Sequence, residues 1–538
     1  MSQKTDFLFI NARVFTADLD QSNAEAVAVR GNRIVFVGSN ADALAWQAPA
    51  TKIIDARGCT LMPGFIDSHF HMMYGALNMN GMQFEQFDSY EIVSQKIKAY
   101  AVEHPNDAWL HGTGLGYNAG PEKTPLTRQH LDALVLDRPI YINSFDGHTS
   151  WANTLALKMA DLLNGGECGA NSEIVLDENG QATGELREPG AFQPVSDLVP
   201  KPDEAQKRAL LHQALKLTAS LGVTSVHNMD GTAEQTAFYA ALEDAGELTC
   251  RIYMPFSVTP ETPIGALEKD AVAMRNNFSS EMVRTGSVKF FLDGVIESFT
   301  GLLVDPYADN PSTHGAANYE PDHYNRMVAE ADRLGFQVFT HSVGDLGVRR
   351  VLDAYENAQQ INGARDARHR VEHIELVHPD DIPRFKELGV IASMQPLHAP
   401  SRVDDGDIWP TRVGQGRWHL SFAWQTLREA GATLAFGSDW PVVTQSPMRG
   451  VANAVNRAAW DEGLPNHRQT LADTLIAYTR DAAFAEFQEH QKGQLKTGYL
   501  ADIVLLSENI FEIPADQLAN VKPIITMVDG RVVYEGSA

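Results

Sequence analysis

Eight short apolar runs, each separated from the next by amphipathic stretches, occupy the middle of the chain. They are GFIDSHFH (64–71), GVTSVHNM (222–229), TCRIYMPFSV (249–258), SVKFFLDG (287–294), FQVFTHS (336–342), HRVEHIE (369–375), GVIASMQP (389–396) and ATLAFGSDW (432–440). Intervening segments such as DEAQKRALLHQALKLTASLG and HYNRMVAEADRLG set apolar residues three and four apart, as a helix with one buried face requires. Strands alternating with helices pair in parallel, because each crossover returns the chain to the same end of the sheet. Eight such units predict a (β/α)8 TIM-type barrel.

Two intervals are longer than one loop and helix need. About 150 residues separate the first two runs, and FTGLLVDPYADNPSTHGAANYEPDHY follows the fourth. The first interval, about 75–203, contains strand-like pieces of its own (RPIYINS, SEIVLDENGQATGEL) and predicts an insertion subdomain over the barrel mouth. At the N-terminal end, DFLFINARVFT, EAVAVRGNRIVFVG and TKIIDARGCTLMPG read as short strands. At the other end, GYLADIVLLS, IITMVDG and RVVYEG have the same texture, with Asp529-Gly530 as a hairpin signal. The expected organisation is a composite β-sandwich from 1–60 and 490–538 around a barrel spanning 61–489.

Composition narrows the partners. With 69 acidic against 43 basic residues the formal charge is −26, and a field of that sign repels phosphate backbones and anionic membranes. No apolar run reaches 18 residues and no secretory leader is legible, so a cytoplasmic protein is expected. Three widely spaced cysteines, Cys59, Cys168 and Cys250, make neither a disulfide framework nor a cysteine metal site. A small-molecule substrate is expected, with no nucleic acid and no membrane; a homo-oligomer is compatible with the sequence.

The chemistry sits at strand ends. His69 and His71 close the first run two residues apart, and alternate residues on a strand share a face, so both imidazoles can point into the mouth. Paired neutral imidazoles suit zinc or a similar ion, although turn hydrogen bonds explain such a pair as well. Lys289, His341, His373 and Asp439 recur at the same end of later strands, where barrel enzymes place their reactive groups. Singly, each has a bland explanation as core histidine or helix cap. Lys289 is the anomaly, since an ammonium inside an apolar strand is costly to bury. A salt bridge to Asp293 or Glu297 is the favoured explanation on charge alone, and carboxylation of the amine to a metal-bridging carbamate is the alternative.

Through GFIDSHFH, VKFFLDG, FTHSVGD, RVEHIE and FGSDWP, the chain resembles the metal-dependent amidohydrolase superfamily over nearly its whole length. GHTSWANTLAL and TGELRE add a likeness to amidohydrolase family 3, the branch that includes N-substituted formamide deformylases. The resemblance implies one divalent metal, zinc first, on His69, His71 and Asp439. It implies a second on His341 and His373, with carboxylated Lys289 bridging the two. The chain departs from the branch at GLGYN, where Asn118 replaces the usual aspartate.

The expected activity is hydrolysis of an amide, formamide or other N-acyl C–N bond by metal-activated hydroxide, since a bound cation lowers the pKa of water from about 15.7 to near 7. Asp439 is the expected base and then acid, and His148 a substrate-facing donor. Tyr117, Asn118, Arg187 with Glu188, His227 and His398 are weaker candidates near the mouth. Phe70, Tyr74, Trp151 and Trp440 lie beside the motifs, where packing competes with an aromatic-substrate reading. A deaminase or lactone hydrolase on the same centre, or a non-catalytic regulatory module, are the alternatives.

Overall fold

A computed structural model describes residues 5–18, 20–21, 24–169, 171–400, 403 and 408–536; the outermost residues of both terminal segments lie outside it. The eight runs form one eight-stranded parallel sheet of Phe65–Phe70, Val223–Asn228, Arg251–Ser257, Val283–Phe291, Gln337–Ser342, Arg370–His373, Ile391–Met394 and Thr433–Phe436. Strands pair in chain order, each with the next. The first and eighth meet through a parallel bridge between Phe70 and Trp440, flanked by His71 N–H to the Trp440 carbonyl (2.9 Å) and Asp439 N–H to the His69 carbonyl (2.7 Å). That seam closes the barrel.

The first crossover helix of the barrel starts where the sequence supplies a cap. Helix Glu204–Ser220 opens on a capping box in which Asp203 accepts the Gln206 N–H and the Gln206 side chain accepts the Asp203 N–H. Helices Pro321–Arg333 and Asp345–Asn362 bury Tyr324, Val328, Val351 and Tyr355 against the strands, in one core with Phe65, Val226, Val338 and Leu434. The eighth strand stops at Phe436, short of the sequence expectation, so Asp439 stands on the following loop with a left-handed φ of +62°.

The termini build two sheets. One holds Arg33–Gly38, Ala26–Arg30, Phe7–Ile10 and Lys52–Asp55; the other holds Arg13–Val14, Thr60–Pro63, Ile503–Leu506, Pro523–Val528 and Arg531–Glu535. Phe9, Val27, Ile34, Leu61, Ile503 and Met527 share their core. Asp529 and Gly530, at φ +52° and +71°, make the hairpin turn that matches strand twist. Arg251 on the third barrel strand forks onto Asp502 (2.7 and 3.0 Å) and locks the barrel to this unit.

Between the first two barrel strands lies a six-stranded sheet in the order Glu173–Leu176, Ala182–Arg187, Thr149–Ala152, Ile140–Ser144, Leu110–Leu115 and Met82–Gln83. Val93, Ile97, Ile142 and Trp151 form a core of its own. Trp151 is therefore a packing residue, and Phe70 and Trp440 are buried beside the seam, ring centroids 5.1 Å apart. Among the aromatics flagged in the sequence, Tyr74 lines a cavity at the barrel mouth.

Candidate metal centre

His69, His71, Lys289, His341, His373 and Asp439 converge at the C-terminal mouth of the barrel, as strand placement predicts. Asp439 is central. Its Oδ1 lies 3.4 Å from His69 Nε2 and 3.2 Å from His71 Nε2, and its Oδ2 lies 3.7 Å from His398 Nε2. His69, His71 and Asp439 offer ligand atoms within 4.8 Å of one another, and so do His373, His398 and Asp439. His398, on the turn Pro396–His398 after the seventh strand, thus belongs to the centre more closely than its sequence signal suggested. His341 stands alongside, its ring 4.4 Å from that of His373, with Nε2 donating to the Gly294 carbonyl at 3.1 Å.

Each inner imidazole is oriented from behind. His69 Nδ1 donates to Glu372 (2.7 Å), His71 Nδ1 to Asp230 (2.7 Å) and His373 Nδ1 to Gln395 (2.9 Å). A partner on Nδ1 fixes the tautomer and leaves Nε2 with a lone pair toward the centre, the arrangement of metal-ligating histidines. Glu372 is itself anchored by Arg370 at 2.8 Å, and Arg370 also bonds His227, Ser68 and Ser393 across the barrel interior. His373 has φ +78°, a left-handed backbone that is costly outside glycine and clusters at functional sites.

Burial sets the charges. It holds His69, His341 and His373 well below the ordinary histidine value, hence neutral and able to ligate. Burial opposes charge at His71 too, but its hydrogen bond to Asp230 and the nearby Asp439 carboxylate prevail and raise it to about 9, a proton that a cation would displace. Burial also works against the Asp439 carboxylate, yet the neighbouring His71 and His398 imidazoles, both raised above the ordinary histidine value, outweigh it and hold it well below the usual range.

Lys289 lies within this cluster, almost fully buried, and burial lowers its amine to about 8. The salt bridge favoured from sequence does not form. Asp293 spends its oxygens on the backbone N–H groups of Leu302, Val343 and Gly344, and among the described residues Lys289 Nζ has no hydrogen-bond partner. It rests 4.6 Å over the Phe291 ring. His69 Nε2, His373 Nε2, His398 Nε2 and Asp439 Oδ1 are likewise buried and without hydrogen-bond partners. So many orphaned donor and acceptor atoms facing one point are costly unless a ligand joins them, and their chemistry fits a divalent cation.

The insertion contributes His148, whose Nδ1 donates to Glu188 at 2.9 Å and whose ring stands 5.8 Å from that of His341. Burial would lower this imidazole, but the Glu188 charge and hydrogen bond raise it to about 9. Thr300 donates to the other Glu188 oxygen at 2.7 Å. The remaining sequence candidates lie elsewhere. Arg187 pairs with Glu185 and Glu173, both at 2.7 Å. His227 sits in the barrel interior between Arg370 and Glu486. Tyr117 donates to Asp146, and Asn118 lines a side pocket away from the histidines.

A parallel barrel that turns a histidine-rich, carboxylate-centred cluster into its mouth is the architecture of a metal-dependent hydrolase. Comparison with known proteins agrees: a solved structure of a metal-dependent hydrolase from Pyrococcus furiosus superposes with a TM-score of 0.70 at 25% identity, covering 93% of this chain and 98% of that one. The chain belongs to the amidohydrolase family, whose profile matches residues 52–534, and is thereby an enzyme class acting on carbon–nitrogen bonds. Among its relatives, protein LONG AFTER FAR-RED 3 of Arabidopsis thaliana is 30% identical over 98% of this chain and 91% of its own. The N-substituted formamide deformylase of Arthrobacter pascens is 26% identical over 99% of both chains. Among the described residues no helix is long and apolar enough to cross a membrane.

Proposed function

We propose that the chain hydrolyses the C–N bond of an N-acyl small molecule, with His69, His71 and Asp439 holding one divalent cation, zinc first. His341, His373 and a carboxylated Lys289 form the second position, beside His398. The observation that carries this reading is the set of buried, unpartnered ligand atoms around Asp439, with an unpaired lysine among them. Similarity to a formamide deformylase supports the bond type. When bound, the metal acidifies water and polarises the substrate carbonyl.

The chain's own residues do the rest. Asp439, anionic at neutral pH, accepts the proton of the attacking water and returns it to the leaving nitrogen. His148, held as a donor by Glu188, hydrogen-bonds the developing oxyanion. Purified protein loaded with zinc or manganese is expected to turn over members of a panel of N-acyl and N-formyl amines, with carboxylate and amine as products. Ammonia release would mark a deaminase instead, and no turnover in any metal-loaded form would remove the reading.

His148→Ala is expected to lower kcat about 100-fold with KM nearly unchanged, because an oxyanion donor acts in the transition state. Glu188 acts through His148 as a positioning residue. Glu188→Gln, which retains an acceptor, should lose less kcat than Glu188→Ala. Equal losses in the two, or a change confined to KM, would show that Glu188 serves only to pack the loop.

A further inference from the structure

The centre lies between two cavities. One, of about 630 Å³, runs outward past Leu397 and Val443 to the helix Pro447–Asn456; the other, of about 610 Å³, lies on the Phe291 side. Both reach Asp146, His148, His341, His373, Asp439 and Val442. Each is of the size that holds a drug-like group. A bond presented to Asp439 therefore has room for a sizeable substituent on either side.

The two walls differ in chemistry. The second cavity is lined by Tyr74, Met229, Val258, Pro260, Phe291 and Tyr319, and Phe291 keeps 36% of its surface free there. Leaving a ring that open beside a buried centre favours an apolar occupant. The first cavity presents one face of its helix, Arg449, Ala452, Asn453 and Asn456, at the spacing i, i+3, i+4, i+7.

Arg449 is the unusual member. Among the described residues its guanidinium has no ion pair or hydrogen bond, although the chain carries 69 acidic groups and Asp516 shares the rim. It also sits in the first turn of its helix, where the dipole disfavours a cation. The acids deeper in this cavity are engaged. Asp146 accepts from Tyr117 (2.8 Å) and from the His148 N–H (3.0 Å), and Glu375 accepts from Trp409 (2.6 Å). Glu297 also has a partner. This solvent-exposed guanidinium at the mouth of the reactive cavity is free to pair with an anion.

We infer that the substrate is an amphiphilic N-acyl compound, with a ring-sized apolar group in the Phe291 cavity and a carboxylate held by Arg449 on the other side of the scissile bond. This rests on the C–N hydrolase reading above. A formyl group would leave one cavity unfilled, so N-formyl amines are the poorer substrates.

The test uses metal-loaded protein and two probes of opposite polarity, N-phenylacetylglycine and N-benzylsuccinamic acid, each beside its methyl ester. At least one acid is expected to exceed its ester in kcat/KM by about tenfold or more, the worth of a charge-assisted contact. In Arg449→Ala that acid-to-ester ratio should fall to about one, through KM, and Arg449→Lys should keep part of it. Calorimetric affinities of the same four compounds are read in parallel. If nothing is turned over, the hydrolase reading fails while the binding ratio still decides the role of Arg449. Equal affinity of acid and ester, no binding of either, or a ratio unchanged in Arg449→Ala would overturn the inference.

Discussion

Asp439→Asn is expected to lower kcat/KM by about 10⁴-fold or more and to strip metal from the protein. One carboxylate faces His69, His71 and His398, so the substitution removes a ligand and the proton acceptor together. Asparagine is the right replacement because it tolerates the left-handed backbone at this position better than alanine. Fold loss is thereby separated from loss of chemistry. Atomic spectroscopy on the purified variant and steady-state rates check the expectation together. A variant that kept a full metal complement and a tenth of the activity would show that Asp439 neither ligates nor transfers the proton.

The Lys289→Met variant should show effects of opposite sign in two measurements. Turnover is expected to fall about a thousandfold, roughly 4 kcal/mol of barrier, with metal content dropping toward one ion per chain. The metal-free protein should melt no lower than the parent, because methionine fills similar volume and removes a buried cation that no hydrogen bond satisfies. A lysine kept for packing would give the reverse pattern, an active but less stable variant. With ¹³C-bicarbonate, the parent should show a carbamate carbon that the variant lacks; a parent without that signal would remove the bridging role.

Much of this was legible in the chain because strand ends carry their own signature. A β-branched apolar run followed by histidine, as in FQVFTHS, gives both the strand and the direction of its last side chain. The barrel and the four histidines His69, His71, His341 and His373 follow from that pattern, whereas Lys289 stands inside its strand and Asp439 on the loop after the eighth. What the sequence could not show are the partners drawn from other strands. Glu372 lies within a quoted motif, yet its bond to His69 spans 303 positions and exists only once the sheet closes. Asp230 and Gln395 are equally silent. Strict alternation would also set Glu372 and His373 on opposite faces, and the left-handed φ of His373 overrides it. His398 carries a weak sequence signal because it lies on the turn Pro396–His398, where no strand period indicates its direction. The salt bridge expected at Lys289 does not form for a related reason, since Asp293, four positions on and past the strand end, turns its carboxylate to backbone amides instead.

The seam between the first and eighth strands has a consequence for biosynthesis. Its bonds join Asp67 to Ser438 across 371 positions, and Asp439 sits on that seam. A chain emerging from the ribosome carries its histidine pair early but has no carboxylate opposite it until the barrel is almost complete. The strand Thr60–Pro63 likewise waits for Ile503–Leu506. On the proposed reading, the position formed by His69, His71 and Asp439 is therefore completed only late in synthesis, and a chain truncated before residue 439 lacks its carboxylate.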